Sequence, residues 1–147
     1  MSLKARLQEE MKTAMRAKDK ERLSTIRLML AELKRVEVDE RIELSDERIL
    51  AILDKMQKQR RDSISQFEQA GREDLAAKER SELEVIAEFL PEPLSEAELN
   101  ALIDAAVAEA GASTMADMGK VMALVKPKSQ GRADMSEISK AVKNRLS

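Results

Sequence analysis

Apolar residues recur at steps of three and four along almost the whole chain, which is the spacing of an amphipathic α-helix. The first such stripe consists of Leu3, Leu7, Met11, Ala14 and Met15. Helix-breaking residues are few, since the 147 residues include only four glycines and three prolines. No stretch alternates apolar and polar residues for long enough to indicate a sheet. The sequence therefore predicts an all-α fold.

Residues that start and stop helices divide this pattern into elements. Ser2, Ser45 and Ser95 each precede an apolar stripe and are predicted N-caps. Glu98 stands three residues after Ser95, so the two residues form a predicted capping box. Gly71 follows the third stripe and is a predicted helix stop.

Two prolines separated by one residue give the domain boundary, because a proline cannot supply a backbone donor to a helix. Before them, the polar stretch 37–44 predicts a loop, and residues 74–90 are predicted to form a fourth helix. We therefore predict an elongated N-terminal helical hairpin or bundle over residues 1–92. A small three-helix domain is predicted over residues 93–147.

The C-terminal domain contains a short structural motif. Its middle helix is predicted to end at Pro127, before a loop over 127–133 and a last helix that Asp134 caps. Gly119 lies inside the middle helix, where glycine costs about 1 kcal/mol relative to alanine. Because glycine is unfavourable at this position, we predict that a neighbouring helix approaches closely there and requires the space. Gly131 in the loop predicts a positive φ angle.

The residue types that carry most enzyme chemistry are missing. The chain has no His and no Cys, which excludes disulfides, thiolate catalysis, zinc fingers and imidazole general bases. No glycine-rich phosphate loop is present. Neighbouring carboxylates such as Glu9 and Glu10 are typical of a solvated surface rather than a metal site. We predict no catalytic residue, no metal and no cofactor, and leave open whether the chain serves an enzyme.

The location of the protein is predicted from segments that the sequence lacks. The first residues have no apolar region typical of a secretory signal. Apolar runs are far shorter than the roughly 20 residues that cross a bilayer. We therefore expect a cytoplasmic protein without a membrane segment.

Charge is distributed unevenly along the chain. Residues 1–36 contain ten basic and five acidic residues, and residues 115–147 contain seven basic and three acidic residues. Residues 37–114 contain nine basic and twenty acidic residues. The basic ends either neutralise the acidic middle across helix faces or provide a basic face for a polyanion.

The most basic segment surrounds the predicted loop after Pro127. A cluster of Lys and Arg there predicts contacts with backbone phosphates. The alternative is a capped turn without a ligand, since the Asp134 carboxylate would occupy amides and repel a phosphate. The predicted nucleic-acid-binding residues are Lys120, Lys126, Lys128, Arg132, Lys140 and Lys143.

Four further residues carry expectations about contacts. Arg60 interrupts the apolar stripe of the third helix, so that stripe is partly wet or Arg60 has a partner. Arg27 lies in an apolar stretch and is expected to pair with an acidic residue of the middle helices. Met115 and Met118 are expected to be exposed, where methionines can dock a partner helix.

Several segments together resemble one family. Residues 59–79 and 84–95 resemble the mid-protein signature of the YqeY family. Residues 118–122, Met-Gly-Lys-Val-Met, and the Gly-Arg-Ala-Asp at 131–134 resemble the tail module shared by YqeY proteins and the B subunit of tRNA-dependent amidotransferases. One departure is Met135, where the family pattern has Gly.

The resemblance implies an all-α protein with an elongated N-terminal domain and a compact C-terminal one. In the amidotransferase the related module contacts the elbow of tRNA, and similar modules extend some glutaminyl-tRNA synthetases. Carbon–nitrogen ligase activity with glutamine as amido-N-donor is attached to the family, although the chemistry lies in domains absent from this chain. We therefore expect a tRNA-binding or tRNA-associated accessory module. The alternative is a module that docks on a synthetase or amidotransferase component.

Overall fold

The computed structural model describes residues 2–147, and over these residues it is entirely α-helical, without a strand. The all-α prediction is therefore confirmed. A 3₁₀ turn, Met115–Asp117, precedes the sixth helix. The helices are α1 (Leu3–Arg16), α2 (Lys20–Glu40), α3 (Asp46–Gln69), α4 (Glu73–Ala87), α5 (Glu96–Ala110), α6 (Met118–Ser129) and α7 (Met135–Leu146).

The helix termini follow the predicted capping residues. The Ser2 and Ser45 hydroxyls each accept a hydrogen bond from the backbone amide three residues later. Ser95 and Glu98 satisfy each other's amides, at 3.1 and 3.2 Å, so the capping box is present. Gly71 adopts φ +70° directly after the C-cap of α3. These caps are local interactions, which explains why the sequence alone predicts them.

The loop predicted over 37–44 is wrong over its first half, because α2 continues to Glu40. No glycine or proline interrupts this stretch, and Glu37 is held by the Lys4 ammonium of α1 at 2.9 Å. The helix ends only where Arg41 turns to a left-handed conformation with φ +55°. A contact with another helix thus extends a segment that looks polar in sequence.

The fourth helix ends at Ala87, whereas the sequence predicts that it continues to residue 90. The amides of Glu88, Phe89 and Leu90 each donate to the carbonyl three residues earlier, so the chain tightens into 3₁₀-type turns. Phe89 remains 3% exposed, which shows that the apolar pattern marked the buried face correctly.

The chain divides into two compact units, of which the first ends at Pro91 and the second is Glu92–Ser147. We refer to them as the N-terminal and C-terminal units. The N-terminal unit has one apolar core shared by α1, α2, α3 and α4. Its largest fully buried side chains are Leu7, Ile26, Met29, Leu33, Ile49, Leu53 and Ile86.

The C-terminal unit has a smaller core, which α5, α6 and α7 build from aliphatic side chains. This core fixes which side of each helix faces outward and therefore which basic residues are exposed. Its fully or almost fully buried members include Ile103, Val121, Val125, Ile138 and Val142.

Pro127 does not end the sixth helix, so the loop predicted over 127–133 is partly wrong. The helix continues to Ser129, and the proline is one of its last three residues. The Ser129 hydroxyl donates to the carbonyls of Val125 (2.9 Å) and Lys126 (3.4 Å), which supplies hydrogen bonds to this turn. Lys126 and Lys128 therefore belong to the last turn of a helix rather than to a loop.

The close approach predicted at Gly119 is also wrong. Val121 and Val125 turn toward the core, and Gly119 lies on the opposite, exposed side of α6. A Cβ atom added at Gly119 would meet nothing within 4 Å. The prediction for Gly131 is confirmed, since this residue adopts φ +75°.

Candidate nucleic-acid interface

Five predicted phosphate-binding lysines lie exposed on two helices of the C-terminal unit. The ion pairs that the described residues of this unit form are Arg132 with Glu98 and Arg145 with Asp104, and neither uses a lysine. We call the lysines the five site lysines: Lys120 in the first turn of α6, Lys126 and Lys128 in its last turn, and Lys140 and Lys143 on α7.

Lys140 and Lys143 are brought together on one face of α7. They line a shallow cleft of about 350 Å³ with Ser136, Glu137 and Ser139. Residues spaced by three, four and seven share a helix face, which places both ammonium groups beside the two hydroxyls. This cleft offers several hydrogen-bond donors to an anion such as a phosphate. The negative charge of the Glu137 carboxylate, which also lines the cleft, disfavours anion binding.

The lysines of α6 occupy its two ends. Lys126 and Lys128 stand in the last turn, where positive charge also complements the negative end of the helix dipole. Lys120 lies one turn after Asp117, whose carboxylate accepts hydrogen bonds from the amides of Ser113 and Thr114. These bonds, with a smaller contribution from Lys120, hold the pKa of Asp117 below its usual range. Lys120 therefore has an acidic neighbour, unlike Lys126 and Lys128.

Arg132 differs from the lysines because its guanidinium is engaged within the unit. Its Nε donates to the Glu92 carbonyl at 2.8 Å, and its Nη2 lies 3.5 Å from a Glu98 carboxylate oxygen. Its own carbonyl accepts the amide of Leu94 at 2.8 Å. These contacts give Arg132 a structural role in joining the start of α5 to the α6–α7 loop. Its predicted contact with phosphate stays a prediction.

The turn before α7 is capped by its own side chain. The Asp134 carboxylate accepts the amide of Ser136 at 3.2 Å, as the capped-turn alternative expects. Gly131 is buried beside it with a positive φ. The first turn of α7 thus has an internal partner for one of its amides.

The ion pair predicted for Arg27 is not observed. Arg27 is exposed, and none of the ion pairs found among residues 2–147 includes it, because the neighbouring Ile26 and Met29 take the inward side of α2. Arg22 makes the predicted kind of contact instead. Its guanidinium pairs with Glu10 at 3.1 Å and with Glu88.

Arg60 has acidic partners, as one of the two alternatives expects. Its side chain is 17% exposed, and its Nε lies 3.4 Å from Glu82 and 3.9 Å from Glu79. The buried Nε nevertheless lacks a well-directed hydrogen bond. Burial, with repulsion from Glu82, raises the pKa of the Glu79 carboxyl above its ordinary value. This cluster joins α3 to α4 and is structural in character.

The two methionines proposed for docking have different environments. Met115 is 40% exposed, as expected. Met118 is only partly exposed and packs against the core of the C-terminal unit, so its predicted exposure is wrong. Only Met115 of this pair keeps a surface position.

Residues 2–147 contain neither a cluster of metal ligands nor a helix that could span a membrane. No group of three or more Asp or Glu side chains in this part of the chain is placed to hold a metal ion. None of the described helices combines the length and the hydropathy needed to cross a membrane.

Comparison with known proteins identifies the family. The model of the family described as "Yqey-like protein" matches residues 4–146. A protein of Pyrenophora tritici-repentis named "Altered inheritance of mitochondria protein 41, mitochondrial" is 34% identical, over 93% of this chain and 77% of that protein. Proteins of the same name in Vanderwaltozyma polyspora and Saccharomyces cerevisiae are 42% and 34% identical, over 57% and 71% of this chain. The chain spans about half the length of these two relatives, 46% and 60%. The chain therefore belongs to the YqeY-like family.

Proposed function

We propose that the C-terminal unit binds a structured RNA of the tRNA class and that the chain acts as a non-catalytic accessory to tRNA chemistry. The observation that carries this proposal is the position of the five site lysines. They are exposed and lie outside the ion pairs of the described residues, while the arginines of the same unit are paired.

Lysines that make no ion pair within the protein remain available to a polyanion. Each lysine that neutralises a phosphate also releases a condensed counterion, so affinity depends steeply on salt. The cleft on α7 supports this interpretation, because Lys140, Lys143 and two hydroxyls offer donors in the same place. Contacts of this kind position a nucleic-acid backbone without reading its sequence.

Structured RNA fits the unit better than single-stranded RNA. Single-strand binders stack bases on aromatic side chains. The two aromatic residues of the chain, Phe67 and Phe89, both lie in the N-terminal unit, so the C-terminal unit has no stacking platform. Double-helical RNA is recognised through its shape, phosphates and 2′-hydroxyls, which suits a lysine surface. The family resemblance supports tRNA among such RNAs.

An enzymatic role would be indirect. The five site lysines and their hydroxyl neighbours can bind and orient an anion, but the carbon–nitrogen ligase label of the family requires a partner that holds the reactive groups. We expect the purified chain alone not to amidate charged tRNA. Amide formation by the purified chain would contradict the accessory role.

The protein-docking alternative has one observation in its favour, the exposed side chain of Met115. A partner such as a synthetase or amidotransferase component would then survive nuclease treatment in a pull-down. The predicted cytoplasmic location also remains part of the proposal. Fractionation of cells that express the tagged full-length protein tests it, and recovery in mitochondria would contradict it.

The direct test is filter binding of unfractionated tRNA across a salt series. The test variant carries Lys→Gln at four site lysines: Lys126, Lys128, Lys140 and Lys143. A matched control carries Lys→Gln at four exposed lysines of the N-terminal unit: Lys20, Lys34, Lys58 and Lys78. Both variants lose the same charge, so a difference between them reports the location of the binding surface.

We expect the test variant to lose about hundredfold in affinity at low salt, with a salt slope that is smaller by about one for each lysine that meets a phosphate. The control should lose much less. Equal losses in the two variants would show that binding follows net charge alone and would contradict the proposed interface. Circular dichroism of both variants confirms that the helices are retained.

A further inference from the structure

Gly119 lacks the two reasons that usually place a glycine in a helix. It is not among the residues with positive φ, so it needs no special backbone conformation. It is exposed, and an added Cβ would meet nothing within 4 Å, so no neighbour in the described chain requires the space. Glycine lowers helix stability relative to alanine. Within the chain, alanine would therefore serve better at this position.

The surroundings of Gly119 are basic and exposed. Lys120 is the next residue, and Lys126 follows seven residues later on the same side of α6, about 10 Å along the helix axis. Both lysines are exposed and belong to the five site lysines. Gly119 thus leaves the helix backbone bare directly beside Lys120 and on the same side of α6 as Lys126.

We propose that the sugar–phosphate backbone of the bound RNA packs directly against α6 at Gly119, next to Lys120 and on the same side of the helix as Lys126. This inference rests on the proposed function and adds a steric requirement to it. The missing side chain allows the RNA backbone to approach the helix closely enough for both lysines to reach phosphates. Any side chain at this position holds the RNA away from the helix.

A graded pair of substitutions tests the steric requirement. Gly119→Ala adds one methyl group and Gly119→Leu adds a large side chain, and both leave the five site lysines unchanged. Ala105→Leu is the matched control, because Ala105 is an exposed residue in the interior of α5, away from the site lysines in sequence. The probe is unfractionated tRNA in the same filter-binding assay, with the full chain.

We expect Gly119→Ala to weaken binding about threefold and Gly119→Leu about tenfold or more, while Ala105→Leu changes affinity less than about twofold. The melting temperature of Gly119→Ala should rise, because alanine favours the helix. A variant that is more stable and binds less well separates a contact with RNA from a role in folding. The salt slope of Gly119→Leu should be smaller than that of the wild type, because Lys120 and Lys126 then fail to reach phosphates although no charge is lost.

Three outcomes overturn the inference. Unchanged affinity in Gly119→Leu shows that RNA does not approach this position. A lower melting temperature in Gly119→Ala shows that the glycine is needed within the protein itself. Absence of tRNA binding by the wild-type chain overturns the proposed function as well. Lysine-dependent binding that ignores Gly119→Leu overturns only the steric requirement and leaves the proposed function standing.

Discussion

The two units differ in their lysines: Lys4 and Lys12 of the N-terminal unit make ion pairs with Glu37 and Glu9, and none of the five site lysines makes one with a described residue. In the N-terminal unit, Arg22 joins α2 to Glu10 on α1, and Arg60 joins α3 to Glu82 on α4. In the C-terminal unit the arginines also make bridges, but the five site lysines lie outside the ion pairs of the described residues. Arginine has a planar fork suited to fixed bridges, whereas lysine is a hydrated point charge on a flexible stem. Within the described residues of the C-terminal unit, residue type therefore separates the paired basic residues from the unpaired ones.

The comparison is not a rule about lysine in general. In the N-terminal unit the Lys4 ammonium lies 2.9 Å from Glu37 and joins α1 to α2. A lysine can thus bridge helices in this protein when an acidic residue faces it. Within residues 2–147, none of the five site lysines forms an ion pair of this kind, whereas Glu98 and Asp104 of α5 pair with arginines.

The largest effect of breaking a bridge is expected at Arg60. Arg60→Ala leaves Glu79 and Glu82 together at a partly buried site, so we expect a loss of about 2 kcal/mol in the free energy of unfolding. Urea denaturation measures this loss. Arg61→Ala is the matched control, since Arg61 is exposed and is outside the ion pairs of the described residues. Equal losses in the two variants would mean that the ion pairs of Arg60 do not stabilise the fold.

A smaller loss is expected at Arg132 in the C-terminal unit. Arg132→Gln removes the 2.8 Å hydrogen bond to the Glu92 carbonyl, which should cost about 1 kcal/mol of unfolding free energy. Lys128→Gln removes a charge of the same sign nearby without removing an observed bond. Thermal denaturation of both variants should show a lower midpoint for Arg132→Gln alone. Similar midpoints for the two variants would show that the contacts of Arg132 add no more to stability than Lys128 does.

Replacing Glu79 should raise stability slightly at neutral pH. The pKa of Glu79 is raised above its ordinary value of 4.5 in the folded protein, so its ionised form costs stability. This cost is absent below pH 4.5 and develops as the pH rises through the folded-state pKa. Glu79→Gln should therefore gain about 0.5 kcal/mol at pH 7 and nothing at pH 4. A gain in stability that increases as the pH falls would contradict a raised pKa of Glu79 in the folded protein.

The smallest effect on folding is expected from a single site lysine. Lys126→Gln should change the unfolding free energy by less than about 0.5 kcal/mol, because Lys126 is exposed and is outside the observed ion pairs. The same variant should still reduce the salt dependence of tRNA binding by about one phosphate contact. A clear loss of stability would show that Lys126 mainly complements the dipole of α6.

Local signals account for what the sequence predicted well. Capping residues such as Ser95 and Asp134 and the left-handed Gly71 act over three or four residues, so their spacing suffices to place helix termini. The apolar stripes likewise identify the buried faces. The exposed site lysines follow from the same periodicity, since they fall outside the stripes.

Contacts between distant residues account for the errors. Arg22 and Arg27 look alike in sequence, and only the positions of Glu10 and Glu88 decide which arginine is paired. The sequence also gives no sign of the structural contact of Arg132, because the carbonyl that its Nε binds is 40 residues away. A local pattern cannot distinguish a bound guanidinium from an available one, so this part of the candidate site required the structure.

The contacts of Arg132 also determine where the chain can be shortened. Its side chain donates a hydrogen bond to the Glu92 carbonyl, and its own carbonyl accepts one from the Leu94 amide. These two bonds connect the residues before α5 to the loop before α7. A truncated protein that begins at Ser95 would keep all three helices of the unit but lose both hydrogen bonds. A fragment meant for binding studies should therefore begin at or before Glu92.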